Sequence, residues 1–175
     1  MNVLDSLWGV RCVWLRYFDV FRKSIRYYLV TSFTEPVLYL LSFGLGVGAL
    51  VGDMNVHGMQ VSYRSFVFAG IIGQTVLFQG FYEASFGAFV RMYYQKIFSS
   101  MAVTPITLSE VLWGELLWDA SKAAVAAEAV TLIGVAMGDF RPLALLSVPP
   151  VAFLYSLLFA AFGLAVAARA QSIEE

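Results

Sequence analysis

Four long apolar stretches determine what this sequence can fold into. They cover residues 28–51, 65–90, 108–137 and 143–168, and each is at least as long as the roughly 20 residues that a helix needs to cross a bilayer. Within lipid, only helices and closed barrels satisfy every backbone amide. The sequence does not alternate in the segments of about ten residues that a barrel requires. We therefore predict an all-α, polytopic membrane protein with four transmembrane helices.

The composition agrees with this prediction and excludes several functions. Hydrophobic residues make up 60% of the 175 residues and charged residues only 13%, whereas soluble domains contain about 25% charged residues. The net charge of −1 argues against a nucleic-acid partner. Cys12 and His57 are the only residues of their types, so neither a disulfide nor a His-based metal site is expected. No Gly-Lys pair is present, so the chain lacks a P-loop. We expect neither an enzyme nor a cofactor bound by this chain.

The orientation follows from the positions of lysine and arginine, which favour the cytoplasmic side. If the N-terminus is cytoplasmic, the external loops contain only Arg64 and Arg141, and Lys122 lies within the third span. The remaining basic residues are then all cytoplasmic: Arg11, Arg16, Arg22, Lys23, Arg26, Arg91, Lys96 and Arg169. We predict that both ends of the chain are cytoplasmic.

Residues 1–26 are amphipathic, and we predict that they form a helix in the membrane interface. One helical face carries apolar side chains, namely Leu7, Trp14, Phe18, Phe21 and Ile25. The other face carries charged side chains, namely Asp5, Arg16, Asp19, Lys23 and Arg26. This pattern is typical of an interfacial helix, and Trp8 and Tyr17 suit the headgroup layer. The alternative is an amphipathic helix packed against a partner protein.

Several ionisable residues lie inside the predicted spans, where charge is costly. Glu115, Asp119 and Lys122 share one helical face, and we expect an ion pair between Asp119 and Lys122. Glu83 in the second span could approach the level of Glu115, and Lys122 could pair with either. Glu128 has no basic residue one turn away, so it is protonated, bonded to a neighbouring helix, or lining a cavity. A role for these residues in a substrate path is the less favoured alternative.

The loop of residues 91–107 predicts a short amphipathic helix, followed by a break at Thr104–Pro105. Thr107 and Glu110 then form a capping-box pattern that begins the third span.

These segments together resemble a known family. The resemblance lies mainly in residues 80–122, in the motifs Phe81-Tyr82-Glu83, Phe86-Gly87-Ala88-Phe89, Arg91-Met92, Thr104-Pro105 and Gly114-Glu115 through Trp118 to Lys122. The run from Glu35 to Leu41, followed by glycines at 44, 46 and 48, is similar to the first span of the same family. The chain resembles permease subunits of type-2 ABC exporters, and most of all the branch of the nodulation-factor (lipo-oligosaccharide) exporter permease.

The resemblance implies a bacterial inner-membrane permease with an interfacial helix and six spans, working with a second permease copy and a separate ATPase that binds ATP and magnesium. It also implies a coupling helix at residues 91–102 that docks on the ATPase, with Arg91, Tyr94, Gln95, Lys96, Ile97 and Phe98 as coupling residues. Because the family continues for two further spans after Glu175, we expect a truncated chain. The alternatives are an ATP-independent channel or assembly factor and, least supported, a lipid-modifying membrane enzyme.

Overall fold

The computed structural model describes residues 3–56 and 58–170. The predicted all-α class is confirmed, since the described residues are mainly helical. The α-helices are α1 (Val3–Lys23), α2 (Ile25–Tyr39), α3 (Tyr63–Leu77), α4 (Ile97–Ala102), α5 (Leu108–Ala136) and α6 (Ala144–Ala167). His57, which was not expected to form a metal site, and residues 171–175 lie outside the described residues.

The first predicted span, residues 28–51, begins as α2 and changes its helical geometry before it ends. The chain widens into a π-helical segment over Leu40–Gly46 and closes with a 3₁₀ turn over Val47–Ala49. Changes of this kind accommodate local sequence that a regular α-helix fits poorly.

The loop after this segment contains a two-stranded hairpin that was not predicted. Strands β1 (Asp53–Val56) and β2 (Met59–Ser62) pair in antiparallel register, with Asp53 opposite Ser62. The turn is stabilised by a 2.9 Å hydrogen bond from the Gly58 N–H to Asn55 Oδ1. Gly58 has a φ of 83°, a conformation that a residue without a Cβ adopts at no steric cost. The hairpin is small and leaves the helical class unchanged.

The second predicted span, residues 65–90, is longer in the structure and largely π-helical in its second half. After α3, the chain continues as π-helix over Phe78–Gly87 and again over Val90–Tyr94. The helical run therefore extends from Tyr63 to Tyr94. π-Helical segments are rare and often occur at functional sites.

Helix α5 lies at the centre of the fold and packs against α1, α3 and α6. Its start is fixed by the predicted capping box, which is confirmed: the Thr107 N–H donates a 2.7 Å hydrogen bond to Glu110 Oε2. Buried apolar side chains follow its length, including Val111, Trp118 and Val130. A central helix of this kind positions the side chains of its neighbours relative to one another.

Helix α6 packs closely against the π-helical segment through small residues. A Cβ built on Gly80 would lie 2.6 Å from Ser156 Oγ, and one built on Gly163 would lie 2.5 Å from the Phe81 carbonyl oxygen. Any side chain larger than hydrogen at Gly163 would therefore push the two helices apart, as expected for small-residue contacts between membrane helices.

The start of α3 is tied to the turn between α5 and α6. Arg64 Nε donates a 2.7 Å hydrogen bond to Asp139 Oδ1, and Ser65 Oγ donates a 3.2 Å bond to the Asp139 carbonyl oxygen. Beneath them, the rings of Phe68 and Phe140 meet edge to face at 5.7 Å. These contacts join three helices at the end of α5 that lies farthest from its capping box.

Two helices of the described residues are long and apolar enough to cross a membrane by length and composition: Tyr63–Tyr94 and Ala144–Ala167. Helix α5 is long enough but carries five ionisable residues: Glu110, Glu115, Asp119, Lys122 and Glu128. If α5 crosses the membrane, these ionisable side chains need partners within the protein.

Candidate functional site: a buried ion cluster beside the 91–107 connector

Glu83 and Arg91 are brought together by the π-helical geometry of their own segment. They are eight residues apart with Gly87 midway, and a π-helix places residues at this spacing more nearly in line than an α-helix does. Arg91 Nη1 donates a 3.1 Å hydrogen bond to Glu83 Oε1. A Cβ built on Gly87 would lie 3.1 Å from both of these atoms. Because Gly87 has no side chain, the Arg91 side chain can pass over it to reach Glu83.

Helix α5 supplies the remaining charges from one face, where Glu115, Asp119 and Lys122 are all buried. Arg91 Nη2 forms an ion pair with Glu115 Oε1, and Lys122 Nζ lies 2.8 Å from Glu83 Oε2. The cluster thus joins the π-helical run to α5 through two cations and two of the three carboxylates. Pairing of this kind offsets part of the cost of removing these charges from water.

The expected ion pair between Asp119 and Lys122 is wrong. Lys122 pairs with Glu83 on the facing helix, and among the described residues no cation lies within ion-pair distance of Asp119. Asp119 is fully buried, and no described residue donates a hydrogen bond to either of its carboxylate oxygens. The physical reason is reach: the longer Glu83 side chain on the facing helix brings its carboxylate to the ammonium group. The alternative raised from the sequence, in which Lys122 pairs with Glu83, is the one observed.

Glu128 lies outside the cluster. It is half-buried, its Oε2 atom is buried, and no described residue donates a hydrogen bond to that atom. Its proposed protonation or cavity-lining role stays a prediction.

Tyr17 of α1 completes the cluster, and its role was missed in the sequence. Its ring centroid lies 5.5 Å from the Arg91 guanidinium carbon and 6.3 Å from the Trp118 ring centroid. Burial raises the pKa of the Tyr17 hydroxyl above its ordinary value, and the negative charge of Glu115 raises this pKa further. The phenol therefore stays neutral beside Arg91. The only available signal was a pair of glycines, Gly9 and Gly114, which permit a close approach of α1 and α5.

The face of α1 that packs against α5 differs from the predicted apolar face. Val13 and Tyr17 are buried, whereas Leu7 and Phe18 of the predicted face are exposed. A Cβ built on Gly114 would lie 2.6 Å from the Val13 side chain, so the two helices touch here. One side of α1 therefore packs against α5, and another apolar side remains exposed.

The predicted interfacial residues divide in the same way. The Trp14 indole N–H donates a 3.1 Å hydrogen bond to Ser121 Oγ of α5, so this tryptophan contacts protein. Trp8, Arg16, Lys23 and Arg26 are exposed.

The 91–107 connector is well packed on its inner side. Phe98 and Met101 of α4 are buried in a cluster with Val13, Val111 and Trp118. Lys96, with a φ of 52°, makes the left-handed turn between the π-helical run and α4.

The six predicted coupling residues do not form one surface. Tyr94, Gln95 and Lys96 are exposed, Ile97 is half-buried and Phe98 is buried. Arg91 points inward to Glu83 and Glu115, so an assignment of Arg91 to a docking surface is wrong. The reason is that the buried Glu115 carboxylate and the half-buried Glu83 carboxylate hold its guanidinium group more favourably than solvent would.

Arg91 links three elements of the fold. It lies where the helical run passes into the connector, and it contacts the π-helical segment, α5 and α1 at once. In the described part of the chain, no group of His, Cys, Asp and Glu residues is arranged to bind a metal ion.

Comparisons with known proteins agree with the resemblance seen in the sequence. Residues 10–175 match the family described as "ABC-2 type transporter". Nodulation protein J of Rhizobium leguminosarum bv. trifolii is 34% identical over 162 residues, which are 93% of this chain and 60% of that protein. Nodulation protein J of Rhizobium meliloti (strain 1021) is 30% identical over 167 residues, which are 95% of this chain and 62% of that protein.

The chain therefore spans about 60% of the length of these curated relatives. No solved structure matches it. Since the family match covers nearly the whole sequence and includes both the cluster and the connector, the chain belongs to the ABC-2 type transporter family of membrane proteins.

Proposed function

We propose that the chain is the transmembrane permease subunit of an ABC exporter. The exported molecule is an amphiphile, such as a lipo-oligosaccharide, a polysaccharide or a drug-like compound, and it crosses the bacterial inner membrane. A separate ATPase subunit, which binds ATP and magnesium, supplies the energy, and a second permease copy completes the path. Family membership and the similarity to nodulation protein J support this proposal.

Four spans with a cytoplasmic N-terminus form the proposed topology. The distribution of lysine and arginine supports the orientation. At 29 residues, α5 is about 44 Å long, whereas the hydrocarbon layer is about 30 Å thick. The ion cluster lies in the first half of α5 and is covered by α1 and the π-helical run, so α5 need not expose these charges to lipid.

The proposed mechanism rests on one observation, the position of Arg91 at the start of the connector. Tyr94, Gln95 and Lys96 are exposed beside it and form the contact for the ATPase. When ATP binding moves the ATPase, the connector moves with it. Arg91 transmits this movement to Glu115 on α5, so the helices shift together and open the path.

The test is co-purification of the permease with its ATPase, followed by an ATP-hydrolysis assay. Lys96→Glu reverses an exposed connector charge, and we expect it to reduce both the co-purified ATPase and the permease-dependent ATP hydrolysis. The matched control is Arg141→Glu, which reverses an exposed charge at the turn between α5 and α6. Arg91→Glu is unsuitable because it would break the buried ion pair.

Two results would contradict the proposal. If Lys96→Glu, and with it Tyr94→Ala, left the complex and its ATP hydrolysis at wild-type levels, the connector would not be the docking element. If the wild-type chain bound no ATPase at all, the ATP-independent channel or assembly factor would be the better hypothesis.

A further inference from the structure

A cavity of about 320 Å³ lies between α1, the start of α2, the π-helical run and α5. Its walls are mostly aromatic and aliphatic, and include Phe21, Phe86, Val90 and Trp118. The polar groups on its walls belong to Arg16, Tyr17, Tyr28, Glu83, Arg91 and Gln95. The volume lies at the lower end of the range for small-molecule sites, which typically combine apolar walls with a few polar groups.

Arg16 is the cation that this cavity offers to a ligand. Its side chain is exposed, and among the described residues no carboxylate lies within ion-pair distance of it. Its guanidinium carbon is held 5.4 Å from the Tyr17 ring centroid. Arg91, which also lines the cavity, is already occupied by Glu83 and Glu115. A ligand anion would therefore bind at Arg16.

Glu83 also lines the cavity, but its carboxylate does not repel anions from the cavity. Its two carboxylate oxygens are paired with Arg91 and Lys122, at 3.1 Å and 2.8 Å. Its negative charge is thus offset within the protein.

The cavity is bordered by apolar side chains that are open to the surroundings. Val20 on α1 and Phe86 on the π-helical run are 54% and 42% exposed. Phe86 stacks on the exposed Tyr82 at a centroid distance of 5.6 Å. Both rings belong to the helical run Tyr63–Tyr94, which can cross a membrane by length and composition. Exposed apolar side chains therefore adjoin the cavity that Arg16 lines.

We propose that this cavity binds the phosphate headgroup of an anionic membrane phospholipid. Arg16 binds the phosphate through charge-assisted hydrogen bonds, which the guanidinium geometry favours. One acyl chain leaves the cavity along Phe86 and Tyr82. The aromatic walls select a lipid over free phosphate, which has no apolar part to bury. This inference depends on the membrane setting of the family and not on coupling to an ATPase.

The test uses the purified full chain and native mass spectrometry with phosphatidylglycerol, phosphatidylcholine or inorganic phosphate. We expect phosphatidylglycerol to be retained more than phosphatidylcholine. Arg16→Gln should weaken the retention about tenfold, because the phosphate loses its charge-assisted hydrogen bonds to the guanidinium group. Phe86→Ala should also weaken it, because the acyl chain loses its contact. The matched control is Arg11→Gln, an exposed arginine of α1 outside the cavity.

Equal retention of phosphatidylglycerol by the wild type and Arg16→Gln would overturn the proposal. Displacement of phosphatidylglycerol by inorganic phosphate, together with retention that is unchanged in Phe86→Ala, would assign the site to free phosphate and overturn the lipid assignment.

Discussion

At Arg91, one guanidinium group serves two carboxylates on two different helices. Glu83 lies on its own π-helical run and Glu115 on α5, and the planar guanidinium can bond to both at once. The ammonium group of a lysine has no such geometry. A residue that is usually exposed is largely enclosed here, because the buried Glu115 carboxylate would otherwise lack a cation.

We predict that Arg91→Gln lowers the free energy of unfolding by about 3–5 kcal/mol, because it leaves the buried Glu115 carboxylate without its cation. Thermal unfolding in detergent measures the change. The control Lys96→Gln alters an exposed side chain and should shift the free energy by no more than about 0.5 kcal/mol. Adding Glu115→Gln to Arg91→Gln should recover part of the loss, since coupled residues are not additive. Equal stability of Arg91→Gln and the wild type would contradict the buried pair.

Gly87 makes the approach of Arg91 to Glu83 possible. We predict that Gly87→Leu displaces the arginine side chain and lowers the free energy of unfolding by about 1–3 kcal/mol through overpacking. Gly70→Leu is the matched control, because nothing lies within 4 Å of a Cβ built on this α3 glycine. Unfolding in detergent should separate the two variants. Similar stability of both would mean that Gly87 does not hold this space open.

At the scale of helices, the contact between α1 and α5 depends on Gly114. A valine there would overlap Val13, so we predict that Gly114→Val loosens α1. The readout is Cys12, the only cysteine of the chain, which is half-buried. Its rate of maleimide labelling should rise in Gly114→Val and stay at the wild-type value in Gly73→Val, whose built Cβ has no neighbour within 4 Å. An unchanged rate in Gly114→Val would argue against this packing.

Helix α1 also shows what a sequence pattern can and cannot predict. Its periodicity predicts a helix, and α1 extends from Val3 to Lys23. The choice of packing face could not be predicted, because Val13 and Tyr17 are no more apolar than the exposed Leu7 and Phe18. What decides it is the close approach permitted by Gly114, which is a property of two helices together.

In the ion cluster and the π-helical segments too, local features could be predicted from the sequence, whereas contacts between helices could not. Spacing predicts which charges share a face of α5, but it does not identify a partner on another helix, so the pairing of Lys122 with Glu83 could be raised only as one possibility. The capping box of Thr107 and Glu110 was predictable because all its atoms belong to one turn. The π-helical geometry of Phe78–Gly87 has no comparable local signal, and this segment packs closely against α6.

At the scale of the whole molecule, two ionic layers are separated by an apolar one. The first contains Glu115 and Lys122, and the second contains Arg64 and Asp139. To the end of α5 at Ala136, the helical rise is about 21 Å from Lys122 and about 32 Å from Glu115, and these values bracket the hydrocarbon thickness of about 30 Å. Between the layers, the described ionisable residue of α5 is Glu128, which is half-buried. This arrangement supports a bilayer between the cluster and the turn from α5 to α6.

The orientation of these layers can be tested by labelling intact cells. In a Cys12→Ser background, we predict that Arg141→Cys reacts with an impermeant maleimide, because the proposed topology places the turn between α5 and α6 outside. Lys96→Cys should react only after the membrane is permeabilised, since the same topology places the connector in the cytoplasm. Both side chains are exposed in the wild-type protein, so a difference in reactivity reports membrane sidedness and not burial. The reverse pattern would place the connector outside the cell, where no ATPase could reach Tyr94, Gln95 and Lys96, and the coupling proposal would fail with the orientation.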